Sequence, residues 1–350
     1  MKFLIVAAKT GGHIFPSVAI ASELIKKNHQ VVFLGIGSSI EKIAQENFNF
    51  PKYSLAIDGY RGKNTFEKIK VLFQVFKAIF SVAKIIRNEK VSAMIGFGGF
   101  ITVPAGIASW LYRKPIFLHE QNAILGSANK LVSKFSKIVF LGFPIKNLKN
   151  SKLVGNPLRE TFKYHKISEI RQDNHINIYI TGGSQGADFF NSELPKAFQG
   201  LEHKLNIRHQ CGKNRSSEVE KLYQSIDVIA EVKDFYRNPE EQIIWSDFVI
   251  SRAGALSLSE TVSLNKGILM IPLPTSIDNH QNENAKSVEE IEMGMIHNQN
   301  NSINELRNKI TKILVEKIYL DWQLKKINIH LNSKKIIIEN IERILQNEKV

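Results

Sequence analysis

The chain has 350 residues, 43% hydrophobic and 23% charged, a composition typical of globular proteins and long enough for two domains. Its single cysteine, Cys211, excludes an intrachain disulfide. The formal net charge of +14 has two open explanations: an anionic partner, or an AT-biased genome that enriches Lys, Ile and Asn together.

The amino terminus predicts neither a signal peptide nor a membrane-spanning helix. MKFLIVAAKTGG has one early lysine and a short apolar run that leads directly into a glycine-rich turn. No stretch approaches the ~20 uninterrupted apolar residues that a spanning helix needs. We therefore expect the chain to be made and kept in the cytoplasm.

Strands and helices alternate through the first half of the chain. Buried strands are predicted for FLIVAA and QVVFLGIG, and the segment between them, SVAIASELIKK, has helical periodicity. This βαβ unit predicts a parallel sheet covered by helices. The same sheet continues in VSAMIGFG, PIFLHE and KIVFLGF.

The pattern begins again near residue 155. A strand, a glycine-rich turn and a helix are predicted in INIYITGGSQGADFF, followed by strands in IRHQCG, DVIAEV, DFVISRAG and GILMIPLP. We therefore predict an α/β fold of two doubly wound, Rossmann-like domains whose parallel sheets face each other across a ligand cleft. The chain after residue 300 is predicted to be helical.

Two glycine-rich turns, KTGGH and TGGSQGA, lie between a strand and a helix. Glycines at such a turn let backbone amides approach an anion, although a plain tight turn uses glycine equally well. Neither turn reads G-x-G-x-x-G, and QVVFLGIG ends without an acidic residue for a ribose. A nicotinamide-dependent dehydrogenase is therefore disfavoured, and the absence of a Walker sequence gives ATP hydrolysis no support.

SRAGALSLSE predicts a turn at Gly254 and a helix from about Ala255. Glu260 in that helix suits a ribose diol, although an isolated glutamate is more often a surface residue. Gln281 and Asn284 share a helical face that suits sugar hydroxyls. The sequence has no D-x-D triplet and no His/Cys cluster at metal spacing, so neither a metal nor another cofactor is predicted.

Seven stretches occur together in the order found in one family: TGGHIFP, GFGGF, HEQNA, GNPLR, TGGSQGA, SRAGALSLSE and HQNENA. Over about residues 1–290 the chain thus resembles the MurG family of glycosyltransferases, family 28 of the GT-B superfamily. The resemblance implies a two-domain fold and metal-independent, inverting transfer of N-acetylglucosamine from UDP-GlcNAc. The implied acceptor is the 4-OH of MurNAc in undecaprenyl-pyrophosphoryl-MurNAc-pentapeptide, in peptidoglycan synthesis.

Two alternatives stay open, transfer to another lipid acceptor and a UDP-GlcNAc 2-epimerase. The epimerase would require clear acid/base carboxylates in the cleft, which the sequence does not indicate. A nucleic-acid partner is not expected, because no helix-turn-helix, zinc-finger or RNA-binding signature is present.

The resemblance also implies domain bounds and substrate contacts, here those in the first domain and at Arg159, the first residue of the second domain. The first domain would span residues 1–158, joined by a final helix at about 336–350, and the second would span 159–335. Donor-sugar contacts are implied for Thr10, Gly11, Gly12 and Asn122, and a diphosphate contact for Arg159.

In the second domain the resemblance implies contacts with the nucleotide and the transferred sugar. Ser184 would bind the diphosphate, the backbone of Tyr236 would meet uracil, and Gln281 would bind the sugar. The nucleotide would be cradled by Ala255, Leu256, Ser257, Leu258, Ser259 and Glu260, with Glu260 on the ribose.

The catalytic candidates are His13, as the general base, and Glu120, as an alternative base or a group that orients a neighbour. Without the resemblance, His13 reads more readily as a turn residue. The family's first loop usually reads G-G-T-G-G-H, whereas Ala8 and Lys9 precede Thr10 here. If those glycines need positive φ, the loop must rearrange or be strained; Lys9 could instead add charge beside an acceptor diphosphate.

Residues 63–90 predict a helix with two open interpretations. Lys63, Lys70, Lys77 and Lys84 recur every seven residues, and the phenylalanines among the remaining positions are Phe66, Phe73, Phe76 and Phe80. The helix either packs on the sheet with a solvated stripe or lies on an anionic membrane surface, with WLYRK at 110–114 as a neighbour. Given the lipid acceptor, we expect a peripheral enzyme at the cytoplasmic face of the cell inner membrane.

Overall fold

The computed structural model describes residues 1–8, 10–57, 64–162, 175–183, 185–201 and 203–347, with the side chains of 65–69 left out. The chain divides into two units. Unit 1 comprises Met1–Glu160 and Ile329–Val350, and unit 2 comprises Thr161–Asn328.

Each unit is built on a parallel β-sheet. The strands of unit 1 are β1 (Lys2–Val6), β2 (Gln30–Gly35), β3 (Lys52–Ser54), β4 (Ala93–Gly96), β5 (Ile116–Glu120), β6 (Ile138–Leu141) and β7 (Ser151–Leu153). The strands of unit 2 are β8 (His175–Thr181), β9 (Lys204–Gln210), β10 (Ile229–Lys233), β11 (Phe248–Ser251), β12 (Gly267–Met270) and β13 (Gly294–Ile296). Within the described residues the strand orders are β3-β2-β1-β4-β5-β6-β7 and β10-β9-β8-β11-β12-β13.

The helices follow the strands along the chain. The first six are α1 (Gly11–Lys26), α2 (Ser39–Ala44), α3 (Thr65–Asn88), α4 (Thr102–Leu111), α5 (Ser127–Val132) and α6 (Asp188–Phe198). The remaining ones are α7 (Ser216–Gln224), α8 (Pro239–Trp245), α9 (Ala255–Ser263), α10 (His280–Glu290), α11 (Ile303–Val315), α12 (Ile318–Leu324) and α13 (Ile329–Asn347). No helix in the part of the chain that the structure describes has the length and apolar character needed to span a bilayer.

The core of unit 1 lies on both faces of its sheet. Phe3 and Ile5 of β1 point to one face, which is covered by α1 and by α13 returning from the far end of the sequence. Leu4 and Val6 point to the other face, which is covered by α3 and α4. Burial on both sides explains why β1 is a continuous apolar run rather than an alternating one.

The predicted α/β fold with two Rossmann-like parallel sheets is confirmed. Three strands of three residues each, β3, β7 and β13, were not predicted. Each sheet has a switch point, where the chain moves from one half of the sheet to the other: between β1 and β4, and between β8 and β11. Ligands of such sheets bind beyond the carboxyl ends of the strands at this point.

Candidate functional site

The switch point of unit 1 places two loops side by side. The strands β1 and β4 are hydrogen-bonded neighbours, with Val6 opposite Gly96, and the Phe97 amide donates to the Val6 carbonyl at 2.8 Å. The loop after β1 leads to Thr10 and the first turn of α1. The Thr10 and His13 amides donate to the Ala8 and Thr10 carbonyls. The amides of Gly11 and Gly12, at the start of the helix, suit a polar or anionic ligand.

His13 lies in the first turn of α1 and is half-buried. Its Nδ1 is 3.1 Å from the Ala8 carbonyl oxygen and 3.2 Å from the Thr10 hydroxyl. A carbonyl only accepts, so Nδ1 carries the proton, and in the neutral ring the lone pair is then on Nε2. The loop thus fixes the tautomer in which Nε2 can accept a proton.

Gly98, in the loop after β4, faces this imidazole. Its φ is +88°, a region that other residues rarely adopt. A Cβ built on Gly98 would lie 3.2 Å from His13 Nε2. The glycine therefore meets a backbone requirement and leaves space beside the nitrogen that carries the lone pair.

Glu120, at the carboxyl end of β5, is buried and surrounded by donors. Its Oε1 accepts from the Asn122 amide and the Asn122 side chain, both at 3.2 Å. Its Oε2 accepts from the Gly126 amide at 3.0 Å and from Asn129 Nδ2 at 2.9 Å. This geometry favours the orienting role: the carboxylate holds the 120–129 loop, and with it Asn122.

Arg159 belongs to unit 1 and lies close to the start of α1. Its guanidinium carbon is 5.2 Å from the centre of the Phe15 ring. A Cβ on Gly11 would approach the same ring to 3.0 Å, so glycine at that position lets Phe15 pack closely. Gly12 and Thr10 are more open, and Thr10 is exposed.

Two residues differ from the family's first loop, Ala8 and Lys9. Ala8 is fully buried and is not among the residues with positive φ, so alanine is accommodated there without left-handed strain. Lys9 lies outside the described residues.

The switch point of unit 2 carries the second glycine-rich turn, between β8 and α6. Gly183 and Gly186 have φ of +90° and +73°. A Cβ on Gly186 would collide with the Cys211 carbonyl oxygen, so the turn packs directly on the chain after β9. Ser184, the predicted diphosphate ligand in this turn, lies outside the described residues.

Tyr236 lies in the irregular segment between β10 and α8, and its side chain points inward. The ring packs edge-on against Tyr179 at 5.9 Å, and the hydroxyl donates to the Glu231 carbonyl at 3.1 Å. The backbone amide donates to Gln210 Oε1 at 2.9 Å. A ligand at this segment would meet backbone rather than the phenol, and the amide already has a partner.

The helix α9 begins at Ala255 as predicted, directly after the Gly254 turn. The side chains of Leu258 and Ser259 are fully buried, and the Ser259 hydroxyl donates to the Ala255 carbonyl at 2.8 Å. These two side chains are therefore not available to a nucleotide and hold the helix in place. Leu256 and Ser257 are half-buried.

Glu260, also in α9, is buried. Burial raises the pKa of Tyr179, and the negative charge of the Glu260 carboxylate adds to that rise. Gln281, at the start of α10, accepts from the Leu273 amide through Oε1 at 2.9 Å. Its Nε2 has no partner among the described residues, so its N–H groups can donate to a ligand.

Two polar residues at the unit 2 switch point were not predicted. Gln210 ends β9, and its side chain is hydrogen-bonded to Thr181, Gly183 and Tyr236. Arg252 follows β11 and donates to the Ile271 carbonyl at 3.1 Å, with its guanidinium 4.8 Å from the Phe190 ring. Burial lowers the pKa of Arg252 to about 10. The sequence signal for Arg252 was its position directly after a strand, in SRAG.

Two Rossmann-like units, each with a glycine-rich turn at the switch point of a parallel sheet, have the architecture of the GT-B fold. The chain matches the glycosyltransferase family 28 N-terminal domain over residues 3–141 and the C-terminal domain over residues 177–341. It therefore belongs to glycosyltransferase family 28, as the ordered sequence stretches predicted.

Named relatives agree with this assignment. The chain is 35% identical, over 98% of its length and 99% of the relative's, to the UDP-N-acetylglucosamine–N-acetylmuramyl-(pentapeptide) pyrophosphoryl-undecaprenol N-acetylglucosamine transferase of Buchnera aphidicola. The crystal structure of MurG from Acinetobacter baumannii is similar, with a TM-score of 0.82 and 29% identity over 98% of this chain and 100% of that one. A UDP-GlcNAc 2-epimerase from Neisseria meningitidis shares the fold alone, with a TM-score of 0.67 and 15% identity over 98% of this chain and 100% of that one.

Proposed function

We propose that this glycosyltransferase transfers N-acetylglucosamine from UDP-GlcNAc to the 4-OH of MurNAc in undecaprenyl-pyrophosphoryl-MurNAc-pentapeptide, with inversion and without a required metal. Family membership and a relative named for this transfer, 35% identical over nearly the whole chain, support the proposal. The structural observation that carries it is the loop at His13, where the Ala8 carbonyl accepts from Nδ1–H, so that the lone pair of the neutral ring is on Nε2, beside Gly98.

The chemistry divides between the two units. Inversion requires the acceptor hydroxyl to attack the anomeric carbon from the face opposite UDP while a base takes its proton, and His13 Nε2 is the proposed base. The departing diphosphate needs positive charge. We assign that task to the amino-terminal end of α6, with Ser184 and Arg159 as further proposed ligands.

The rest of the donor is proposed to bind along unit 2. The Tyr236 backbone would meet uracil, the Glu260 carboxylate would accept from the ribose hydroxyls, and Gln281 Nε2 would donate to the transferred sugar. The start of α9 at Ala255, Leu256 and Ser257 would border the nucleotide. In unit 1, Thr10, Gly11, Gly12 and Asn122 are proposed to line the sugar, with Glu120 orienting Asn122.

We propose that the outer side of α3 contacts a membrane surface. Its inner side, including Ala78, Val82 and Ile86, packs on the sheet of unit 1. Its outer side exposes Phe73, Phe76 and Phe80, which we call the aromatic face; their exposed fractions are 59%, 57% and 62%.

The surroundings of the aromatic face also suit a lipid surface. The neighbouring helix α4 ends in exposed Trp110 and Leu111, and Lys70, Lys77 and Lys84 are exposed on α3. Exposed rings among lysines suit an anionic lipid surface, where the acceptor's prenyl chain is held. Lys63 and the side chain of Phe66 lie outside the described residues. We accordingly propose a peripheral enzyme at the cytoplasmic face of the inner membrane.

The experiment that tests the function is mass detection of the product formed from UDP-GlcNAc with two acceptors, the muramyl-pentapeptide lipid and diacylglycerol. We expect one added N-acetylhexosamine on the muramyl lipid and none on diacylglycerol. Product on diacylglycerol alone would indicate that the enzyme uses another lipid acceptor. Release of N-acetylmannosamine without either glycolipid would instead identify an epimerase.

A further inference from the structure

Gln210 connects the three segments that meet at the switch point of unit 2. It is the last residue of β9, its exposed fraction is 4%, and both Nε2 and Oε1 of its amide group are hydrogen-bonded. Nε2 donates to Thr181 Oγ1 at 3.1 Å and to the Gly183 carbonyl at 2.8 Å. Oε1 accepts from the Tyr236 amide at 2.9 Å. One side chain therefore joins the glycine-rich turn to the segment proposed to meet uracil.

The hydrogen bond from the Tyr236 amide to Gln210 limits the groups that this segment can offer to a nucleobase. Because the Tyr236 N–H donates to Gln210, the backbone group of Tyr236 that can bond to the nucleobase is its carbonyl. A carbonyl accepts from the N3–H of uracil, whereas N3 of cytosine carries a lone pair and repels it. The bond from Gln210 thereby favours uracil without any contact between Gln210 and the base.

We propose that Gln210 is a positioning residue that sets the base preference of the donor site and its spacing from the diphosphate turn. The inference rests on the proposed function, in that the Tyr236 segment is taken to meet the base. Gln210 acts through its bonds to Tyr236, Thr181 and Gly183. Sequence reasoning could not find it, because its partners lie 26 to 29 residues away along the chain.

The test is calorimetric binding of UDP and of CDP to the full chain, with Gln210→Met and Gln210→Glu beside the wild type. Met fills the same space but frees the Tyr236 amide, so we expect UDP binding to weaken about tenfold and the UDP-over-CDP preference to fall by a similar factor. Glu retains the acceptor for the Tyr236 amide but lacks the Nε2 donors. It should bind both nucleotides more weakly and keep the preference.

The control is Gln45→Met, a glutamine of unit 1 with the same exposed fraction of 4%. It should leave both dissociation constants unchanged, whatever it costs in stability. A Gln210→Met protein that keeps the wild-type preference for UDP would overturn the inference, as would a Gln210→Glu protein that loses it.

The acceptor assay separates this inference from the proposed function. A wild type that prefers UDP and loses that preference on Gln210→Met supports the role of Gln210, even if no transfer to the muramyl lipid is found. A wild type without any preference for UDP overturns both.

Discussion

At the scale of single residues, the tautomer of His13 decides whether this side chain can act as a base. The Ala8 carbonyl determines it, because a carbonyl at 3.1 Å requires a proton on Nδ1. The proposed catalytic role thus depends on backbone geometry in the turn before α1 as much as on the imidazole itself. Variants can separate these two contributions.

We expect His13→Ala to lower kcat about a hundredfold or more, the usual consequence of losing a general base. The sharper variant is His13→Asn, whose side-chain N–H can still donate to the Ala8 carbonyl but which has no basic nitrogen. If His13 is the base, both variants lose kcat alike and the KM for UDP-GlcNAc changes little. Recovery of most of the activity by Asn, or a loss below about threefold in Ala, would show that the residue only holds the loop.

Residue roles were only partly predictable from the sequence. The glycine-rich turns could be located because a strand, glycines and a helix follow one another directly along the chain. The role of Glu120 could not be decided, because its donors come from the folded 120–129 loop and the sequence does not show that they converge on it. For the same reason the sequence did not reveal the role of Arg252, whose acceptor Ile271 directly follows β12, the next strand of the sheet.

At the scale of elements, the helix α3 has one side that packs on the sheet and one side that is exposed. The side with Ala78, Val82 and Ile86 packs on the sheet, as a surface helix does, and the aromatic face is turned outward. Within the aromatic face the Phe76 and Phe80 rings touch edge-on at 5.0 Å, and Lys77 Nζ lies 4.7 Å from the centre of the Phe73 ring. Periodicity predicts such a helix but not which of its apolar residues stay exposed.

We expect the triple variant Phe73→Ser, Phe76→Ser, Phe80→Ser to bind anionic liposomes at least about tenfold more weakly than the wild type, since it removes exposed apolar surface that would enter the lipid boundary. Co-sedimentation over a series of lipid compositions and salt concentrations measures this. The matched control replaces Ile43 and Leu324, whose exposed fractions are 69% and 72%, with serine. Equal loss in the control, or binding that ignores lipid charge and salt, would contradict a membrane role for the aromatic face.

The short edge strands are the strands that the sequence did not predict. The runs that form β1 and β2 are buried on both faces, and their nearly unbroken apolar sequence predicts them directly. All three residues of β3 are exposed, so Lys52–Ser54 carries no apolar pattern. The neighbouring strand, rather than the sequence of β3 itself, makes it a strand.

At the scale of the whole molecule, the chain leaves unit 1 after Glu160 and re-enters it at Ile329. A buried hydrogen-bond network ties these two points together inside unit 1. The Gly155 carbonyl accepts from His119 Nε2 at 3.1 Å and from the Ser333 hydroxyl at 2.8 Å. The Asn156 amide donates to His330 Nδ1 at 2.8 Å. The start of α13 is thereby fixed against the segment that leads out of unit 1.

Both histidines of this network are buried in their neutral form. Burial lowers the pKa of His119 to about 4 and that of His330 to about 3, from an ordinary value of 6.5. Because the folded pKa is below the unfolded one, the unfolded chain binds the protons first. The free energy of unfolding therefore has its full value above about pH 6.5. As the pH drops toward 4 it falls by about 1.4 kcal/mol per pH unit for each histidine.

We expect the urea midpoint of unit 1 to fall steeply between pH 6.5 and 4, and to fall less in His119→Gln, His330→Asn. The glutamine Nε2 can still donate to Gly155 and the asparagine Oδ1 can still accept from Asn156, so these two hydrogen bonds survive without the titrating groups. His203→Gln, in unit 2, is the control and should keep the wild-type slope. If the double variant declines as steeply as the wild type over this range, the acid sensitivity comes from groups other than this pair.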